Sequence, residues 1–546
     1  MTARLRGADV VARTLAAAGV RRVFALSGNH VMALFDAALD AQLEIVHVRH
    51  EAAAVHMADA WGRLTGEPGV ALVTGGPGHA NAVGALYTAL AAESPLVLLS
   101  GHAPLDEVGR GAFQELRQAD VAAPLAKASW TAASAATLGD DLARALRTAT
   151  AGRPGPVHLS LPTDLLEAIV VEPAGRAAFE APVAALPEAA ADAVLAQLAT
   201  AARPVVLVGP LLLRGKGHAA ARQLEAVTGV PVVGSESPRG LSDPTVGAFA
   251  EALGQADLVV LLGRHLDYTL QYGAAPTIAP GCQFVHIDPD PEAIARSGRA
   301  VGERLVFTAV ADAAAAAECL AARAPRRAWP QRGWQDEVAA AIRYRPAEWA
   351  TVVSPPDGPV HPLEVCRAVQ RLLERDPNAV LVSDGGEFGQ WAQANLAARH
   401  RITNGPAGAI GAAVPSALAA KLAFPESQVV AISGDGSFGF HMAEFDTALR
   451  CRTPFVVVVG NDAFWNAERQ IQLRDYGAAR AVNCELAPTR YDRVVAALGG
   501  HGEHVARATD LAAALDRAAG SDRPACVNVT IASLPAPRLA RCGAGE

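Results

Sequence analysis

The stretch Val429–Asn466, VVAISGDGSFGFHMAEFDTALRCRTPFVVVVGNDAFWN, decides how this chain is read. Val429–Ser433 is a short apolar run that stops at Gly434-Asp435-Gly436. Phe440–Arg450 carries Phe440, Ala443, Phe445 and Leu449 at helical spacing, and Thr453-Pro454 ends it. Phe455–Val459 is a second β-branched run that stops at Gly460-Asn461-Asp462. Strand, glycine turn, helix and strand form a βαβ unit, whose crossover returns the chain to the same edge of a parallel sheet. Asp435 and Asp462 then stand side by side just past two strand ends, the edge where open α/β sheets bind ligands. Gly434 and Gly436 let the backbone approach a ligand, and the N–H groups at Ser437-Phe438-Gly439 suit phosphate oxygens. Two oxygen ligands beside such a turn point to Mg²⁺ held together with a diphosphate. A bare glycine turn with two solvated carboxylates is the plainer alternative. The whole string, GDG through helix and strand to Asn-Asp, is more specific than that.

Working outward, the 546 residues suggest about three or four domains of ordinary size. Alternating strand and helix patterns divide them into three doubly wound, parallel-sheet α/β domains, residues 1–175, 188–343 and 358–535. A Pro/Ala-rich link at Glu172–Pro187 and a second at Val352–Val360 separate them. A net charge of −8 favours neither nucleic acid nor an anionic membrane surface. No run approaches transmembrane length, and Met1–Leu15 has no signal-peptide core. Seven scattered cysteines with no CxxC pair are expected as reduced thiols in a cytoplasmic protein.

The GDG…Asn-Asp string resembles the metal motif of the thiamine-diphosphate (ThDP) enzyme family. That resemblance implies a pyrimidine-binding N-terminal domain, a central domain and a diphosphate-binding C-terminal domain. It implies Asp435, Asp462 and the carbonyl of Phe464 as Mg²⁺ ligands. The second motif position, ordinarily Asn, is Asp462 here, which keeps a hard oxygen and adds a negative charge. The string Arg49–Gly66, RHEAAAVHMADAWGRLTG, is similar to the segment that carries the family's activating glutamate, so Glu51 takes that role. A buried glutamate with a raised pKa suits protonation of the cofactor's aminopyrimidine, which in turn deprotonates thiazolium C2. The family places this acid on one subunit and the metal on its partner, implying a homodimer or homotetramer with active sites at the interface.

Further resemblances fill in the site. Gly405–Gly411 is similar to the loop that cradles the aminopyrimidine, with Gly408 and Ile410 offering backbone and Ile410 bending the cofactor. Gly386-Glu387-Phe388 occupies the place of the other diphosphate-contacting turn, while Gly434, Gly436, Ser437 and Trp465 belong to the first. Gly76–Asn81 resembles a structural turn in which His79 is a turn residue, and Lys127 matches a lysine near the substrate entrance. Gln114, in a Phe-Gln segment, faces the substrate in acetolactate synthases. His30 stands where benzaldehyde lyase and some 2-hydroxyacyl-CoA lyase-like proteins have a histidine able to shuttle a hydroxyl proton.

The resemblance covers nearly the whole chain and speaks more clearly of cofactor than of substrate. Thr269 stands where acetolactate synthases use an arginine for a ketoacid carboxylate, and Ile471 aligns with their acceptor-selecting tryptophan. Thr cannot replace a bidentate Arg–carboxylate contact. The flanking segment also departs from the pattern associated with FAD, which counts against that cofactor. The expectation is a ThDP- and Mg²⁺-dependent carbon–carbon lyase or carboligase, acting on 2-hydroxyketones, aldehydes or 2-ketoacids through a C2 ylide and an enamine. The alternatives are an acetolactate synthase of the large-subunit type, a 2-hydroxyacyl-CoA lyase, and a ThDP-binding pseudoenzyme. Glu51 argues against the last of these.

Overall fold

The computed structural model describes residues 4–171, 178–330 and 333–541. Residues 172–177 of the expected first link, and Cys542, lie outside the described residues. The six described cysteines are free thiols. No helix among the described residues is long and apolar enough to cross a membrane.

Three parallel sheets carry the architecture. The first unit runs through β1 (Arg4–Arg6), β2 (Arg22–Ala25), β3 (Glu44–His47), β4 (Gly69–Val73), β5 (Leu96–His102), β6 (Ala128–Thr131), β7 (Pro156–Pro162) and β8 (Ile169–Val171). Its sheet has the order β3-β2-β4-β5-β7-β6, all parallel, with β1 and β8 paired antiparallel beside it. The central unit has β9 (Pro204–Val208), β10 (Val232–Gly234), β11 (Leu258–Leu262), β12 (Gln283–Asp288) and β13 (Leu305–Val310), in the order β10-β9-β11-β12-β13. The third has β14 (Val380–Ser383), β15 (His400–Thr403), β16 (Val429–Gly434), β17 (Val456–Asn461), β18 (His501–Val505) and β19 (Ala525–Thr530), in the order β15-β14-β16-β17-β19-β18. First and third sheets thus share one permutation. β5, β7, β9, β11 and β17 are buried at every residue, because helices cover both faces.

One apolar core joins the first and third units. It contains Phe24, Met57 and Leu86 from the first and Leu418, Phe438, Phe445 and Phe455 from the third. Helix Glu51–Thr65 lies against helix Ala413–Ala423. Ala53, Ala54 and Ala58 on one helix, and Ala417, Ala419 and Ala420 on the other, are completely buried, so small side chains bring the two backbones close. Arg49 N–H donates to Glu444 Oε1 at 3.0 Å across the same seam.

The helix expected over Phe440–Arg450 is shorter. Asp435–Phe438 forms a single turn, residues 439–443 are turns, and the helix proper is Glu444–Arg450. Phe440 leaves the apolar stripe: its ring is 55% exposed and stands 6.3 Å from that of Trp465, so it serves the sheet edge instead of the core. Phe445 keeps the expected role, fully buried between Phe438 and Phe455. Phe445→Ala is expected to cost about 3–5 kcal/mol. Because the core is shared, urea unfolding should move to lower midpoint as one transition for both units. A first unit that unfolds at its original midpoint would contradict a common core.

Candidate active site

β16 and β17 are parallel neighbours with Gly434 opposite Gly460. That register sets Asp435 and Asp462 together at one sheet edge. A cavity of about 200 Å³ opens there. Of the residues expected to hold the cofactor, Gly386, Glu387, Phe388, Gly408, Ile410, Gly434, Asp435, Gly436, Ser437, Asp462, Phe464 and Trp465 all line it, and Glu51 does not. Two glycines are demanded by close approach: a Cβ on Gly436 would stand 2.5 Å from the Trp465 ring, and one on Gly460 would stand 2.4 Å from the Phe388 ring.

The two carboxylates are an unusual pair to bury. Asp435 is 2% exposed, and its Oδ2 is buried with no hydrogen-bond partner. Burial lifts its carboxyl to about 7, and the charge of Asp462 adds to the effect. Burial likewise lifts Asp462 to about 6. A divalent cation between them would relieve both penalties. Among the described residues no three His, Cys, Asp or Glu side chains gather as a metal site. An ion here would therefore complete its shell with a carbonyl and phosphate oxygens, the habit of Mg²⁺. The residues present fit a metal–diphosphate group.

The loop is held by groups that the sequence reading did not single out. Asn461 turns inward, donating from Nδ2 to Thr489 O at 2.9 Å and Asn528 Oδ1 at 3.1 Å, which leaves Asp462 facing the cavity. Ala463 adopts φ +58° to make the turn, and Asp462 Oδ1 accepts from Phe464 N–H at 3.2 Å. The tail beyond β19, patternless in sequence, straps this loop: Asn466 Nδ2 donates to Leu534 O at 2.9 Å, and Ser533 Oγ to Asn466 Oδ1 at 3.0 Å. Asp384, at the end of β14, accepts from Gly385 N–H at 2.8 Å, Gly411 N–H at 3.0 Å and Ser433 Oγ at 3.3 Å. It thereby ties the Gly386 turn, the Gly405–Gly411 loop and β16 together. Its place after a β-run, like that of Asp435, was the available signal. Arg239 of the central unit donates to Glu387 Oε2 at 2.6 Å, so that carboxylate is already paired.

A second cluster forms on the first unit. Glu51 opens helix Glu51–Thr65 and is 9% exposed. Asn81 Nδ2 donates to its Oε2 at 3.1 Å. His30 is 4% exposed, with Nδ1 3.2 Å from Thr74 Oγ1 and its ring stacked on Phe113 at 5.8 Å. Burial holds its pKa below the usual imidazole value, so the ring is neutral. Gln114 takes φ +57° directly over Gly76, where a Cβ would meet the Gln114 Cβ at 2.7 Å. Gln118, not Gln114, is the structural amide: it accepts from Gly76 N–H at 2.9 Å and donates to Ser160 Oγ at 2.9 Å. Glu51, His30 and Gln114 do not line the carboxylate cavity of their own chain. Within one chain the two clusters are therefore separate.

Some expectations change. His79 is not a turn residue but fully buried in helix Pro77–Ala91, its Nδ1 2.9 Å from Ser100 Oγ. Lys127 caps a helix end, donating to Thr148 O at 2.5 Å and Ala151 O at 2.6 Å, and burial lowers it to about 8. Thr269 is 5% exposed and hydrogen-bonded with Asp267 and Arg264, away from the cavity.

Three family signatures match the chain: the thiamine pyrophosphate enzyme N-terminal TPP binding domain over residues 5–121, the central domain over 191–318, and the C-terminal TPP binding domain over 384–529. The chain belongs to the thiamine pyrophosphate enzyme family. It is similar to a probable acetolactate synthase of Mycobacterium bovis, 35% identical over 97% of this chain and 96% of that relative. A 2-hydroxyacyl-CoA lyase of Oryza sativa subsp. japonica is 28% identical over 97% and 96% of the two chains. A 2-hydroxyacyl-CoA lyase 2 of Danio rerio is 32% identical over 92% and 87%. The three sheets correspond to the three matched domains of this ThDP-dependent enzyme family.

The raised carboxyls would make cation binding here depend on pH. Both must lose their protons to bind a cation, so Mg²⁺ affinity is expected to weaken as pH falls through 7 and 6 and to level off above about pH 8. Calorimetry in the presence of ThDP reads this directly. Asp462→Asn should still bind Mg²⁺–ThDP, with a shallower pH dependence. Affinity that does not vary with pH, or loss of the cofactor in Asp462→Asn, would show that these are not the ligands.

Proposed function

We propose that the chain is a ThDP- and Mg²⁺-dependent carbon–carbon lyase or carboligase acting on 2-hydroxyketones, aldehydes or 2-ketoacids. The observation that carries this is the buried, unpartnered Asp435 Oδ2 beside Asp462 in a glycine-walled cavity. ThDP, when bound, supplies a nucleophilic carbon and an electron sink for the bond that breaks. Asp435, Asp462 and the Phe464 carbonyl would hold Mg²⁺, and Ile410 would set the bend of the cofactor. Glu51, oriented by Asn81, would hydrogen-bond the aminopyrimidine. His30, neutral through burial, takes or returns the proton of the substrate hydroxyl. Phe113, 65% exposed over His30, together with Phe464 and Trp465, would shield the reacting carbon from water and suit an apolar substrate.

The two half-sites support an active unit of at least two chains, with Glu51 of one chain serving the carboxylate pair of the other. An acetolactate synthase is the second reading, favoured by the 35% identity over nearly the full length. Against it stands Thr269, locked to Arg264 and Asp267 and unable to bind a carboxylate as an arginine would.

Glu51→Gln should keep the cofactor and lose most turnover. Asp435→Ala should lose cofactor binding. Co-refolding the two inactive variants should restore about a quarter of wild-type activity, because a mixed dimer regains one intact site. No recovery would contradict sites shared between chains. His30→Ala should harm benzoin cleavage more than pyruvate decarboxylation, and an equal loss would count against the lyase reading. Products from pyruvate, benzoylformate, benzoin and a 2-hydroxyacyl-CoA, read by mass spectrometry, identify the substrate.

A further inference from the structure

A second cavity, of about 710 Å³, lies where the three units meet. Small-molecule sites have about this size. Its walls come from the end of helix Glu51–Thr65, the segment after β10, the start of helix Gly215–Thr228, β15, and the end of helix Gly386–Asn395. It shares no residue with the cavity holding Asp435 and Asp462.

Several residues of its lining carry buried polar atoms without a hydrogen-bond partner. Arg63 is 4% exposed; its Nη1 donates to Thr403 O at 2.8 Å, but its Nε and Nη2 make no hydrogen bond. Arg401 Nε is also buried without a partner, as are both amide atoms of Gln393, which is 2% exposed. A buried polar atom without a hydrogen bond is costly, so these atoms favour a further partner, although Arg401 Nη2 already donates to Thr245 Oγ1 at 3.1 Å. Arg214 and Arg399 add two more cations to the lining, against the carboxylates of Glu236 and Asp243. Glu236 is engaged by Arg214 at 2.6 Å and lies 3.8 Å from Arg63 Nη2. Burial raises the carboxyl of Asp59, 3.7 Å from Arg63, which weakens its answer to that charge. Helix Gly215–Thr228 presents its N-terminus here with no side-chain cap, so its dipole adds positive potential.

We propose that this cavity binds a small oxyanion, a phosphate- or carboxylate-bearing effector whose oxygens pair with Arg63, Arg401 and the Gln393 amide. Its walls continue into the neighbouring pocket. Thr403, held by Arg63, precedes Asn404 and the Gly405–Gly411 loop. Gln393 belongs to the helix that begins at Gly386, and Ser237 precedes Pro238 and Arg239, which line the carboxylate cavity. An anion that tightens these three segments favours cofactor binding, and the cofactor favours the anion by the same factor. The coupling rests on the reading of the neighbouring pocket as a ThDP site, whereas the binding of the anion does not.

The test uses holoenzyme saturated with ThDP and Mg²⁺, so that the diphosphate pocket is filled. It is titrated at constant ionic strength with inorganic phosphate and, separately, malonate, with Tm and calorimetric heat as readouts. Wild type should give a saturable rise in Tm with at least one of them, and the stronger of the two names the class. Gln393→Glu sets a carboxylate in the cavity with little change of shape, and Arg401→Met removes a donor. Each should weaken the anion about tenfold. No saturable response in wild type, or the same response in both variants, would overturn the proposal. Cofactor loading is measured first; if the chain takes up no ThDP, the functional reading fails separately. The same anion titration is then run without cofactor, with Gln393→Glu reporting the cavity.

Discussion

Two carboxylates at the ends of adjacent parallel strands are the constraint on which the rest of the third unit depends. Parallel register, with Gly434 opposite Gly460, gives Asp435 and Asp462 no means of avoiding each other. Burial then makes their charges expensive, which is why both are lifted towards neutral pH. A fold retains such a pair only where something compensates it. The surroundings are arranged accordingly: Asn461 is drawn inward, the tail at Ser533 and Leu534 fastens the loop, and Asp384 gathers three separate turns. Function is written here as an electrostatic debt that the protein alone leaves open.

The first unit repeats the strand order of the third, and the two share a core through helices Glu51–Thr65 and Ala413–Ala423. This seam explains how Glu51 can be rigid without lying in its own chain's carboxylate cavity. Its helix is anchored at one end by Arg49 on Glu444 and at the other by Arg63 on Thr403. Both anchors touch segments that lead into the carboxylate cavity of the same chain. Glu51 and the loops around the carboxylate cavity are therefore parts of one packed body. In such a body, a ligand at the three-unit junction has a short mechanical path to the pocket.

Sequence patterns revealed the three-sheet architecture because most inner strands are short β-branched or leucine-rich runs with glycine at their ends, as in Leu258–Leu262 followed by Gly263. The edge strands β6, β13, β15 and β18 were not read, and neither was the inner strand β14. β15 and β18, HRIT and HGEHV, are too polar to form an apolar run, whereas β13, LVFTAV, and β14, VLVS, are apolar runs that were passed over. The residues lining the carboxylate cavity were legible because glycine, aspartate and spacing carry them. Asp384, Asn81 and the Ser533 strap were not, because each acts through a distant hydrogen-bond partner that only the folded chain supplies. Periodicity also misplaced Phe440, since a turn at residues 439–443 interrupts the helix that its spacing suggested.

The account stands or falls on the meeting of two half-sites from different chains. A crystal structure of the assembled enzyme with ThDP and Mg²⁺ measures it most directly. The Glu51 carboxyl should lie within hydrogen-bonding distance of the aminopyrimidine of a cofactor whose diphosphate and metal sit on the other chain's Asp435 and Asp462. A Glu51 carboxyl remote from every bound cofactor would contradict it.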